Sequence, residues 1–184
     1  MGTWKTRGLR GSALEELINF TNDVYRTGGL ALIQKIPTPI TPMDIDKKTR
    51  HITLAYFDQK STVDYIGAVQ GIPVCFDAKE CATDTFPLAN VHEHQISFME
   101  AFEKQKGISF IIVHFTERDE MYLLPFEELK TYWDRMTAGG RKSFVYEEMK
   151  KTYRIRKGSD VPVHYLEALN RYLMDTEQPQ NKKG

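Results

Sequence analysis

Two cysteines in a chain of 184 residues are too few for a disulfide framework. Cys75 and Cys81 also lack a paired CxxC spacing, so reduced thiols in a cytoplasmic protein are expected. No apolar run approaches ~20 residues, the length a membrane-spanning helix requires. The first twelve residues, MGTWKTRGLRGS, lack the apolar segment of a secretory signal. Net charge is missing too, with 25 Lys and Arg against 25 Asp and Glu. That zero conceals a pattern. Residues 1–60 carry +3, 61–134 carry −8, 135–157 carry +6 and 158–184 carry −1. An acidic centre between basic segments suits a cation site beside a polyanion surface. The plainer alternative is that segments are not surfaces and such fluctuations are common.

What is present describes one soluble domain. Its 41% hydrophobic and 27% charged residues are ordinary for a globular chain long enough to bury a core. A basic arm over 1–11, a single domain over 12–176 and a disordered tail over 177–184 are expected. Ser12-Ala13-Leu14-Glu15 matches a capping box and opens a helix. Leu14, Leu17, Ile18, Thr21, Val24 and Tyr25 recur at helical spacing on its buried face, and Gly28-Gly29 ends it. A strand is expected over 30–36. Residues 37–42, PTPITP, must then be extended, because each proline fixes its own φ and restricts its neighbour. After a polar turn over 44–50, 51–57 alternates as a strand. The stretch 37–60 thus reads as a stiff excursion out of the sheet, with basic residues at its tip and Tyr56-Phe57 on the way back. Connections of that length are usually functional or disordered. Farther on, helices are expected over 88–106, over 126–136 and from 159 onward, with strands over 108–115 and 121–124. The order predicts an α/β domain, a central mixed sheet flanked by helices.

The chemistry gathers on 61–80, STVDYIGAVQGIPVCFDAKE. Two short apolar runs flank Gln70-Gly71. A two-residue hairpin loop there fixes the register by counting. Val69 then faces Ile72, Asp64 faces Asp77 and Thr62 faces Lys79. Directly opposed like charges destabilise a sheet, so two facing carboxylates ask for a cation. Lys79 lies on the Asp77 face because side chains alternate along a strand. The pattern reads as a divalent-metal site with a basic helper, or as a hairpin's solvated face. Cys75, Cys81, His92 and His94 do not form a usual zinc spacing.

The spacing Asp64…Asp77-Ala78-Lys79 is the arrangement of the PD-(D/E)xK nucleases. Around it stand, in order, RGSALEELINFTNDVY, IQKIPTP, AYFDQKSTVDYIG, FDAKE, FPLANVHEHQ and WDRMTAGGRKS. This set closely resembles the RecU-type Holliday junction resolvases from about residue 10 to 143. The resemblance implies a restriction-endonuclease-like core in which 37–60 is a protruding stalk. It implies that Asp64 and Asp77 bind metal together with Thr62 and Gln95. Lys79 would stabilise the transition state, and Glu15 would point toward the site from the first helix, unless it serves only the capping box. Phe57 matches the stalk's aromatic position, and Arg10, Lys35, Tyr56, Phe57 and Lys60 are the expected DNA contacts. Where the family usually carries Glu, this chain has Asp77. Mg²⁺, with Mn²⁺ able to substitute, is the implied cofactor. Four-way junction DNA, a second copy in a homodimer and recombination proteins are the implied partners, with no membrane. The implied activity is endonucleolytic resolution of junctions by paired symmetric nicks. An accessory junction binder with weak or lost catalysis, or a nuclease for other DNA, are the alternatives.

Overall fold

The computed structural model describes residues 13–57 and 62–177. Ser12, and with it the expected capping box, lies outside them, as do the arm and the tail from 178. Helix α1 spans Ala13–Thr27 and buries Leu14, Ile18, Thr21, Asn22 and Tyr25. Leu17, expected inside, is 41% exposed. After the helix, the Leu30 N–H donates to Tyr25 O at 2.9 Å and the chain turns into β1 (Ala31–Lys35).

The central hairpin is β4 (Tyr65–Val69) and β5 (Ile72–Cys81). Val69 pairs with Ile72 and Tyr65 with Phe76, the register that counting predicts. Gln70 and Gly71 both have positive φ, 48° and 87°, which is the primed turn matching the twist of a two-residue hairpin. Gln70 also donates its side-chain amide to Gly29 O (3.0 Å) and Leu30 O (3.2 Å), tying the hairpin to the α1–β1 turn.

Strand β1 pairs antiparallel with β4. Its close approach depends on Gly67, where a Cβ would stand 2.0 Å from Leu32 O. On the other side, β5 runs parallel to β7 (Ile108–Phe115). Strand β7 pairs antiparallel with β8 (Glu120–Pro125), and β8 with the two-residue β10 (Arg154–Ile155). The six-stranded sheet therefore runs β1-β4-β5-β7-β8-β10, mixed as predicted.

Both faces of the sheet are covered. One layer holds α1 and α4 (Tyr165–Glu177) around Ile18, Tyr65, Phe76, Phe110 and Tyr165. The other holds α2 (Glu93–Lys104) and α3 (Phe126–Thr137) around Cys75, Ile96, Met99, Ile111 and Leu129. Phe76 stacks between Tyr65 and Phe110, at 4.7 and 4.8 Å between centroids. Each such pair adds about 0.5–1.5 kcal/mol beyond area burial. This row of rings locks β4, β5 and β7 in register one residue away from Asp64 and Asp77.

Several elements depart from expectation. The excursion is a ribbon of its own, β2 (Ile40–Ile45) against β3 (Ile52–Phe57), separate from the main sheet. Pro42 sits inside it opposite Ala55, and the register shifts past Met43. A two-stranded ribbon is all edge, so a missing N–H is tolerated there. Helix α2 begins at Glu93 rather than 88, since 88–90 form a single 3-10 turn. The final helix begins at Tyr165 rather than 159. A small sheet of β6 (Thr85–Pro87) and β9 (Ser143–Val145) joins two segments for which no strand is expected.

Candidate active site

Asp64 and Asp77 meet where the hairpin ladder ends. Pairing stops at Tyr65–Phe76 while β5 continues to Cys81 against β7. Thr62, half-buried, lies beyond that end, so its expected ladder pairing with Lys79 does not form. Asp64 is fixed through its backbone, whose carbonyl accepts the Ile36 N–H at 2.8 Å. Asp77 is fully buried. Its Oδ1 accepts the Ala78 N–H at 2.9 Å, and its Oδ2 accepts a Gln95 amide hydrogen. The Lys79 ammonium lies 3.0 Å from the same Oδ2.

Burial and the adjacent Asp77 carboxylate push Asp64 up from 3.8 to about 7, against the pull of Lys79 and Lys35. The two acids act as one coupled pair that resists carrying both charges.

Gln95 reaches the site from the first turn of α2. Its Oε1 accepts the His92 N–H at 3.1 Å while its Nε2 donates to Asp77. Gln95, expected among the metal-binding residues, here spans helix and acid. Glu15 approaches from the opposite face of the sheet. It pairs with Lys35, which stands opposite Tyr65 on the α1 side. The Tyr65 hydroxyl donates to Asn19 Oδ1 at 3.1 Å and lies 3.4 Å from Glu15 O. Tyr65 and Asn19 were not singled out by sequence, and their only signal is adjacency to Asp64 and a place on the α1 face. Tyr56 and Phe57 lie on the ribbon, 49% and 77% exposed and apart from the acids. Arg10 and Lys60 lie outside the described residues.

Among the described residues no group of three or more His, Cys, Asp and Glu stands at metal-holding distance. The site's acidic donors are a pair, which fits Mg²⁺: it commonly takes one or two carboxylates and completes its shell with waters and phosphate oxygens. No helix among the described residues is long and apolar enough to cross a membrane.

A mixed sheet flanked by helices, with two acids and a lysine at the end of its central hairpin, defines the PD-(D/E)xK nuclease class. Within it, the chain belongs to the RecU family: residues 9–171 match the family described as Recombination protein U. A Holliday junction resolvase RecU of Leuconostoc citreum is 41% identical, covering 91% of this chain and 83% of its own. Proteins of the same name from Staphylococcus carnosus and a Geobacillus species are 39% and 43% identical. The first alignment covers 93% of this chain and 85% of the relative, and the second 78% and 74%.

Proposed function

We propose that this protein is a divalent-metal-dependent endonuclease that resolves four-way DNA junctions by paired symmetric nicks during recombination and repair. It would act in the cytoplasm as a homodimer alongside recombination proteins. The observation that carries the reading is the convergence of Asp64, Asp77, Lys79 and Gln95 in a chain whose relatives are named Holliday junction resolvases.

Asp64 and Asp77 would hold Mg²⁺ or Mn²⁺, with Thr62 beside them. The ion would polarise a phosphodiester and lower the pKa of a bound water. The chain's own groups do the rest. Gln95 and the Ala78 N–H hold the Asp77 carboxylate in one orientation. Lys79 brings a positive charge to the place where negative charge grows on phosphorus-bound oxygens. Glu15 and Lys35 tie helix α1 to the edge strand β1, whose following residue Ile36 holds the Asp64 carbonyl. The β2–β3 ribbon serves as the stalk, with Tyr56 and Phe57 against unstacked bases at the junction centre, where base–aromatic stacking contributes about 1–3 kcal/mol per base. Recognition is then mostly by shape.

The test is a nicking assay on a synthetic four-way junction with Mg²⁺. Wild type should cut two strands of like polarity, and Asp77→Asn or Lys79→Ala should cut at least ~100-fold more slowly while still binding. Equal cutting by either variant would remove the assignment.

A further inference from the structure

The basic segment 135–157 has eight Lys and Arg residues, and the fold answers most of their charge locally. Arg135 and Arg141 both clasp Glu148. Arg154 pairs with Glu120 at 3.0 Å, Arg156 with Glu167 at 2.7 Å, and Lys157 with Asp119. Lys151 donates to Tyr146 O and lies over that residue's ring. Lys150 lies 5.9 Å from the Tyr153 ring centroid. Lys142 is exposed and, among the described residues, has neither an ion pair, as the arginines and Lys157 have, nor a ring beneath it, as Lys150 and Lys151 have.

Its place in the fold is also distinct. Arg154, Arg156 and Lys157 line a cleft of about 460 Å³ at the β10 edge, three strands from β5. Lys142 is joined instead to the segment that builds the acid site. Its carbonyl accepts the Leu88 N–H at 3.0 Å, next to the Pro87–Ser143 rung of the β6–β9 sheet. From Leu88 one turn leads to His92, whose N–H is held by Gln95, and Gln95 holds Asp77. Phe86, Leu88, Val91 and Phe144 pack in the same core layer as Cys75 and Cys81. Those cysteines alternate with Asp77 and Lys79 on one face of β5. Lys142 is thus an unanswered cation on the catalytic side of the sheet, mounted on the framework that positions Gln95.

We infer that Lys142 binds a backbone phosphate of the DNA strand lying in the Asp64–Asp77–Lys79 site, flanking the reacting phosphodiester. The inference rests on the nuclease reading above. A lysine suits this task as a point charge on a flexible stem, without the fixed geometry of a guanidinium.

The experiment measures binding of the full chain to a labelled synthetic four-way junction and to a linear duplex, with Ca²⁺ in place of Mg²⁺, across a salt series. One lost phosphate contact lowers the slope of log K against log salt by about 0.9. Lys142→Ala and Lys142→Gln should both show that loss on whichever DNA the wild type binds, Lys142→Arg should restore the slope, and Lys157→Ala should keep it. An unchanged slope in Lys142→Gln, or an equal loss in Lys157→Ala, overturns the inference. A loss in Lys142→Ala alone is a packing effect and overturns it as well. Equal wild-type affinity for junction and duplex removes the junction reading but leaves the Lys142 assignment standing if the slope still falls. A wild type that binds neither DNA removes both.

Discussion

Gln95 holds Asp77 with one end of its amide and the start of helix α2 with the other. The buried acid and the helix terminus therefore share one side chain. Gln95→Ala should leave Asp77 short of a donor and the His92 N–H short of an acceptor. A buried group deprived of its partner costs about 1–3 kcal/mol. Urea unfolding should show a loss of that order, and junction nicking should fall more steeply than stability. Full activity in a variant that is merely less stable would mean that the amide serves the helix alone.

The pair of acids gives the metal-free protein a pH signature. Asp64 is raised from 3.8 to about 7, so folding favours its protonated form. That stability is fully present below about pH 4 and is lost as pH rises through about 7. Metal ligands bind deprotonated, so affinity for Mg²⁺ should climb over the same window. Melting temperatures in EDTA should drop between pH 5 and 8, excess Mg²⁺ should offset the drop, and Asp64→Asn should flatten it. Parallel curves for wild type and Asp64→Asn would count against the assignment.

Gly67→Ala should damage the site from the far side of β4. The added Cβ would meet Leu32 O at 2.0 Å and push β1 outward. Overpacking of this kind costs about 1–3 kcal/mol or more. Strand β1 also carries Lys35 and leads to the Ile36 N–H that holds Asp64 O, so nicking should fall beyond what the lost stability explains. Calorimetry together with the nicking assay separates the two effects.

Phe57→Ala should do the reverse. Phe57 is 77% exposed, so its removal should change stability by no more than about 0.5 kcal/mol. Cutting of a four-way junction should fall while any cutting of linear duplex persists. Equal loss on both substrates would argue that the ribbon is not a junction-reading element.

The core of the site was legible because its signals are local and strict. Gln70-Gly71 dictates a two-residue turn, and the turn dictates which residues face each other. The continuous apolar run 108–115 announced a strand covered on both sides, and β7 is that strand. Elements of two or three residues carry no periodicity, so β6, β9 and β10 could not be read, and with them went the attachment of Lys142 to the Gln95 framework. The ribbon was half legible: the prolines announced stiffness, but Pro42 disguised a strand that pairs on one side only. A start for the last helix at 159 is expected, yet the chain bends there and folds back, with the His164 N–H on Arg156 O, and the helix begins only at Tyr165, whose buried ring packs against Phe76. Tyr65 and Asn19 meet across 46 positions of sequence, and no spacing rule reaches that far.

Strand β5 outlasts its hairpin partner. From Asp77 to Cys81 its ladder among the described residues is one-sided, with β7 beside it. The acids and the lysine therefore occupy a step in the middle of the sheet, braced by a full strand on one side and unladdered on the other. The site's precision is then inherited from the most deeply buried strands, and it should persist until the whole domain unfolds.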